Sequence, residues 1–213
     1  QSLTWLGTLG GDVSTAYSVS DDGSVVVGES DNLFEDSRAF IWTAANGIQP
    51  LNTLQNINSW ASHITPDGNI VVGSANVGAF NYQAMKWTSN GGVEFLGTLG
   101  GSGSTNNSEG TSCLPDGSVV VGVASTASNN HHAFKWTISN GMEDLGTFDN
   151  VPNRFSAATG ISADGSLIVG HSEYGGSYTR PCYWVSGSIQ ELFTSLPTSI
   201  ELGEVTSVSQ NGS

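Results

Sequence analysis

Few residues in this chain have the type and spacing that chemistry needs. The most regular candidates are the aspartates of Asp22-Gly23, Asp67-Gly68, Asp116-Gly117 and Asp164-Gly165. Calcium loops require several oxygen ligands at close spacing, as in D-x-[DN]-x-[DN]-G. The contexts here are SDDGS, TPDGN, LPDGS and SADGS, and three of the four hold a single carboxylate. They read as turn residues in which Asp tolerates positive φ. His63, His131, His132 and His171 fall in no H-x-x-x-H or H-E-x-x-H pattern. A metal site would have to gather His131, His132 and His171 from separate segments, and no metal is expected. There is no G-x-S-x-G elbow and no phosphate-binding glycine loop. Glu35-Asp36 and Glu143-Asp144 read as solvated loop charge. Neither a catalytic residue nor a cofactor is expected, although a site built from scattered loop residues would leave no motif.

Charge narrows the partners. Five Lys and Arg stand against 19 Asp and Glu, a formal charge of -14 over 213 residues. Such a surface repels phosphate backbones and anionic lipid, which excludes nucleic acid as a partner and disfavours membrane docking. No apolar run approaches the roughly 20 residues of a bilayer span, so direct membrane insertion is not expected. The 28 glycines favour short strands and many turns.

The elements that position these residues repeat. The Asp-Gly pairs, with Asn211-Gly212 as a fifth, are spaced by 45, 49, 48 and 47 residues. Trp42, Trp87, Trp136 and Trp184 keep the same clock, and LGTLGG occurs at Leu6 to Gly11 and again at Leu96 to Gly101. Each unit holds four short apolar runs, in the first unit TAYSVS, SVVVGE, RAFIWT and IQPLNTL. Asp-Gly between the first two and Asn-Gly between the last two are hairpin signals, read as two-residue turns. Four antiparallel strands every 45–49 residues predict an all-β, β-propeller-like array of four-stranded blades. The alternative is a β-solenoid, whose rungs usually need about half this period.

The expected organisation is one repeat domain over 1–213, with blades at 15–54, 61–99, 109–148 and 157–196. Residues 3–14 would hold the last strand of a preceding blade (Leu3 to Leu9) and its connection, and 204–213 the first strand of a further one. A blade split between the ends suggests a piece of a longer repeat protein, or self-association through exposed strand edges.

The units, read as LGTLGG, a strand ending in DG, SVVVG, HAFKWT and NGM, resemble the HAF-repeat proteins. The His-Ala-Phe triplet is intact at 132–134 and degrades to Arg38-Ala39-Phe40, Gln83-Ala84-Met85 and Arg180-Pro181-Cys182. The resemblance covers nearly the whole chain. It implies a secreted or surface-exposed bacterial protein, in some cases the exported part of an autotransporter, and it supplies no catalytic residues.

Aligned units separate scaffold from variation. Cys113 shares a repeat position with Val19, Ile64, Ile161 and Val208, and Cys182 shares one with Phe40, Met85 and Phe134. Both read as free, buried thiols filling apolar positions. A Cys113–Cys182 disulfide is the alternative, but the two stand at different strand positions. The spacing from the second-strand glycine (Gly28, Gly73, Gly122, Gly170) to the next Trp is 14 in every unit. From the following Leu to the next turn Asp or Asn it varies as 16, 16, 20, 19 and 19. Length variation therefore concentrates between the last strand of one blade and the first of the next. In a propeller those connections share a face with the second-to-third-strand loops, and loops on a rigid scaffold carry function.

On that face the candidate ligand-binding residues are Trp60, Asn107, Arg154, Phe155, Tyr174 and Tyr178. Trp60 breaks a repeat position held elsewhere by Thr15, Glu109 and Ala157, and Arg154 is one of three arginines. Aromatics beside amides suit sugars or peptides, and aromatics with Arg are common binding anchors. The competing assignment has Trp60 capping its own blade and Phe155 covering its neighbour's core. The leading function is a surface binding or adhesion module for a glycan or protein partner. The alternatives are a self-assembling surface-layer or fibre component and a secreted glycan-active enzyme.

Overall fold

The computed structural model describes residues 3–51, 57–78, 81–102, 106–148, 153–175, 178–192 and 205–209. Among them are sixteen strands and no helix. β1 (Gly10–Val19), β2 (Val25–Asn32), β3 (Ser37–Thr43) and β4 (Gly47–Pro50) form the first sheet. The second contains β5 (Ser59–Ile64), β6 (Ile70–Gly78), β7 (Asn81–Thr88) and β8 (Gly92–Phe95). β9 (Ser108–Cys113), β10 (Val119–Ser125), β11 (His131–Thr137) and β12 (Gly141–Asp144) form the third. The fourth holds β13 (Ser156–Ile161), β14 (Ile168–Tyr174), β15 (Tyr178–Val185) and β16 (Ser188–Glu191). Each sheet is a four-stranded antiparallel meander in chain order. Such complete sheets exclude the solenoid, whose rungs would hydrogen-bond from one repeat into the next.

The core lies between neighbouring sheets. The second sheet brings Ile64, Met85 and Trp87 against Val27 and Ala39 of the first. One repeat on, Phe134 and Trp136 meet Val72 and Ala84, and then Cys182 and Trp184 meet Val121 and Ala133. Large residues on one sheet thus fill the space over small ones on the preceding sheet. This is the packing reason for Ala followed by a bulky residue in the repeated triplet. The polar residue that opens the triplet is buried as well in three of the four units, Gln83 being half-buried. Arg38, His132 and Arg180 are each under 10% exposed and pair with Asp36, Asp144 and Glu191.

A serine fastens each sheet to the one before. Ser59, Ser108 and Ser156 open β5, β9 and β13, and their hydroxyls accept the backbone N–H of Ala39, Ala84 and Ala133 at 3.0, 2.8 and 2.9 Å. Within each sheet the first strand carries a β-bulge opposite the second-strand glycine. Tyr17, Ser62, Thr111 and Thr159 are the extra residues. The glycine is needed because a Cβ at Gly28, Gly73, Gly122 or Gly170 would lie 1.9–2.1 Å from a first-strand carbonyl oxygen.

Both turns are longer than the two residues expected. Gly23 N–H donates to Ser20 O at 2.9 Å and Ser20 N–H to Val25 O at 2.9 Å, which places five residues between β1 and β2. The glycines take φ of 66–73° in these turns, while the aspartates do not adopt positive φ. Asp instead accepts hydrogen bonds, Asp22 from Ser24 N–H at 2.9 Å and from the Ser20 and Ser24 hydroxyls at 2.7 Å.

Those bonds hold the Asp22 and Asp164 carboxyls down at about 2, against about 3.9 in an unfolded chain. The folded form is the stronger acid. Its contribution to stability is therefore complete above the unfolded value and is lost as pH falls from about 4 towards 2. Asp22→Asn with Asp164→Asn should flatten the fall in thermal midpoint across that window. An unchanged pH profile would remove these turns from the account.

Two corrections concern the chain's ends. Leu3 to Thr8 form no strand, and β1 instead starts at Gly10. A last strand here would need the third strand of a preceding blade to pair with, and the described residues include none before the first sheet. At the other end 205–209 form no ladder either, yet they lie along β13. Thr159 Oγ1 donates to Val205 O, just as Thr111 Oγ1 donates to Ala158 O one repeat earlier. Among the described residues, 205–209 thus occupy the place of a further first strand with no second strand beside them.

Cys113 and Cys182 are free, buried in different inter-sheet clusters, and 6% and 0% exposed. Burial pushes the Cys113 thiol up to about 12 and raises that of Cys182. In the native chain neither should react with a thiol reagent near pH 8, and two should titrate after unfolding without reductant. A count below two would contradict this.

Candidate functional site

Three of the candidate residues meet in one place. Trp60, Asn107 and Phe155 line a hollow of 350 Å³ with Tyr82, Glu109 and His131. Each lies within two residues of a strand end on the face that carries the inter-blade connections. Glycine and bulge together set the geometry. Gly73 lets the Trp60 carbonyl approach β6, and Trp60 and Ser62, two apart on β5, reach one acceptor. The Trp60 indole Nε1–H donates to Glu109 Oε1 at 3.0 Å and the Ser62 hydroxyl donates to the same oxygen at 3.2 Å. The Trp60 and Tyr82 rings lie 4.9 Å apart, tilted by 38°. Asn107 uses its side-chain oxygen to accept Tyr82 N–H at 2.8 Å, which pins the connection onto β7. Phe155 stacks on His171 at 5.4 Å and reaches His131 at 6.5 Å.

A second hollow, of 500 Å³, is lined by Tyr17, Glu29, Trp60, Ser62 and Glu109 and so shares Trp60 and Glu109 with the first. The Tyr17 hydroxyl donates to Glu29 Oε1 and the Ser37 hydroxyl to Glu29 Oε2. Partial burial, followed by the Glu29 hydrogen bond and the negative charges of Glu29 and Glu109, pushes the Tyr17 phenol up to about 12. Two carboxylates therefore converge where aromatic rings are also exposed. Towards the opposite face a third cavity, of 370 Å³, runs along the inner strands and takes in the bulge residues Ser62, Thr111 and Thr159 together with Thr206.

The other candidates are placed differently. Arg154 is half-buried beside Phe155 in sequence but does not line either hollow. Tyr174 is already engaged, edge-on to Phe148 of the preceding connection at 5.8 Å and under the Arg180 guanidinium of its own blade at 4.5 Å. Tyr178 pairs with Tyr174 in the β14–β15 ladder, and its side chain lies outside the described residues. The two longer connections, Gly100 to Ser108 and Phe148 to Ser156, lie partly outside them too. The sequence reading missed Tyr82, Glu109, Glu29 and Tyr17. Glu109 was within reach, since it fills the same repeat position as Trp60.

No family model and no curated protein matches the chain. Solved structures do match. TolB from Acinetobacter baumannii is 16% identical with a TM-score of 0.56, over 80% of this chain and 40% of that one. A putative TolB from Agrobacterium tumefaciens is 14% identical with a TM-score of 0.61, over 82% and 63%. The fold is a β-propeller array. A puromycin-hydrolyzing peptidase of Mycobacterium tuberculosis is similar at 12% identity and TM-score 0.56, over 89% of this chain and 30% of that one. The chain thus spans two fifths to under two thirds of the length of the TolB structures. At these identities the likeness carries the propeller architecture alone.

Proposed function

We propose that this propeller is a binding module of an extracellular or cell-surface protein of the HAF-repeat kind, engaging a glycan or protein partner through its connection-bearing face. The observation that carries the proposal is the hollow in which Trp60, Tyr82 and Phe155 stand beside Glu109 and Asn107. Half-buried aromatics with fixed polar groups at their edges are what recognition of a sugar or a peptide segment requires. The rigid part is the bulged inner strand, and the variable part is the connection before it.

The test is an array of glycans and peptides probed with the wild-type chain, with Trp60→Ala and with Arg154→Ala. Trp60→Ala should weaken an identified interaction about thirtyfold, the loss typical of a central aromatic anchor, with the β-sheet circular dichroism unchanged. Arg154, outside the hollow, should matter less. Unchanged binding by a folded Trp60→Ala chain would rule out this surface.

Self-association is a second reading, favoured by one observation. Val19 on β1 is 54% exposed, whereas Ile64, Cys113 and Ile161 at the corresponding places of β5, β9 and β13 are 2%, 6% and 8% exposed. Sedimentation equilibrium distinguishes the two, because the array reading requires no change in mass with concentration.

A further inference from the structure

Resting on the binding reading above, we propose that the occupant of the Trp60–Glu109 hollow is a lysine or arginine side chain, presented by a basic segment of a protein partner. The two hollows, which share Trp60 and Glu109, are lined by the rings of Trp60, Tyr82, Tyr17 and Phe155 and by Glu29 and Glu109. Among the described residues no lysine or arginine lines either hollow. An aromatic face attracts a cation through its quadrupole, and a nearby carboxylate adds a direct partner for the charge.

The chain already shows how it satisfies such a combination. Lys86 Nζ lies 4.7 Å from the Trp136 ring centroid while pairing with Glu94 at 2.9 Å. Arg180 lies over Tyr174 while pairing with Glu191. In both places an aromatic ring and a carboxylate share one internal cation. The Trp60 hollow repeats the aromatic and the carboxylate without a lysine or arginine of its own on the lining.

The carboxylates are fixed before any ligand arrives. Glu109 is held by the Trp60 indole and the Ser62 hydroxyl, both ending on Oε1, and Glu29 is held by Tyr17 and Ser37. A ligand cation therefore meets oriented acceptors, and little ordering cost remains to be met on binding. The alkyl stem of Lys or Arg would lie against Tyr82, Phe155 and Val123 while its charge reaches Glu109. Long-range charge acts in the same direction. Three of the five cationic residues, Arg38, Lys86 and Arg180, are already in ion pairs within their own blades, under a formal charge of -14. That field draws a basic segment towards this face and repels an acidic one.

The test follows the Trp60 indole N–H signal by NMR at low ionic strength. The probes are N-acetyl-lysinamide, N-acetyl-argininamide, the uncharged N-acetyl-norleucinamide and methyl glucoside. Both cationic probes should shift the signal saturably, at least about tenfold more tightly than norleucinamide. Glu109→Gln should weaken the cationic probes about tenfold. Its amide oxygen can still accept from Trp60 and Ser62, so the fold stays intact. Glu29→Gln should weaken them in the same direction, which guards against an unforeseen rearrangement in the first variant. Equal shifts by norleucinamide, or silence from both cationic probes, would overturn the proposal. A shift with methyl glucoside alone would also overturn it while leaving the hollow as a binding site. Array binding insensitive to Trp60→Ala would instead defeat the underlying reading.

Discussion

Gly122→Ala is expected to destabilise the chain by about 3 kcal/mol or more, the upper end of what overpacking costs. A Cβ at Gly122 would lie 1.9 Å from the Glu109 carbonyl oxygen and 2.8 Å from the Phe134 ring. The nearest clash is with backbone, so no rotamer change relieves it. The first strand must move away from the second, and the bulge moves with it. Gly73→Ala, with its Cβ 2.1 Å from the Trp60 carbonyl oxygen, should behave alike. Because those first strands carry Trp60 and Glu109, both variants should lose ligand binding together with stability. Gly141→Ala is the control. Its φ is 70° and a Cβ there meets nothing within 4 Å, so only the left-handed backbone penalty of about 1–2 kcal/mol applies. Thermal melts should rank Gly122→Ala well below Gly141→Ala, and equal midpoints would contradict the close approach of the first two strands.

Phe134→Ala should cost about 3–5 kcal/mol, the usual loss for a large aromatic truncated in a core. Phe134 is 0% exposed and belongs to the cluster of Val72, Ala84, Leu96, Cys113, Val120 and Trp136 between the second and third sheets. At roughly 2–4 °C per kcal/mol for a chain of this length, the thermal midpoint should fall by about 10 °C. Phe95, 42% exposed at the end of β8, provides the contrast, and Phe95→Ala should stay within about 0.5 kcal/mol of wild type. Removing the Phe134 ring should not rescue Gly122→Ala, because the closer clash is with the Glu109 carbonyl. Rescue by the double substitution would show that the ring, and not the bulged strand, sets the glycine requirement.

The blades were legible in the sequence because turn glycines, Trp and Leu keep one clock, and each marks a fixed place in a repeated sheet. Turn type was harder to read. An Asp-Gly pair signals a reversal, but the side chain's hydrogen bonds to Ser20 and Ser24 lengthen it from two residues to five. The serine clasps at Ser59, Ser108 and Ser156 follow the same clock and were overlooked, since serine before a strand looks like ordinary loop composition. The burial of Arg38, His132 and Arg180 was hidden, because a sequence does not show that a carboxylate on the same blade will stand beside each polar side chain.

For the site, Trp60 stood out as a break in the repeat and Asn107 and Phe155 as residues of the length-variable connections, and the fold gathers all three. Their partners Tyr82, Glu29 and Tyr17 stayed hidden, because contact between neighbouring sheets depends on how blades face each other and not on spacing along one of them. Tyr174 failed for a related reason, its ring being taken up by Phe148 and Arg180 of its own surroundings.

The central claim is that recognition occurs on the connection-bearing face, at the hollow between the second and third blades. Amide hydrogen exchange of the chain, alone and saturated with a partner identified on the array, tests it most directly. The account predicts protection concentrated at 57–60, 81–83, 106–109 and 131, with the turns at 20–24, 65–69, 114–118 and 162–166 unchanged. Protection confined to those Asp-Gly turns, with the Trp60 segment exchanging as before, would contradict it.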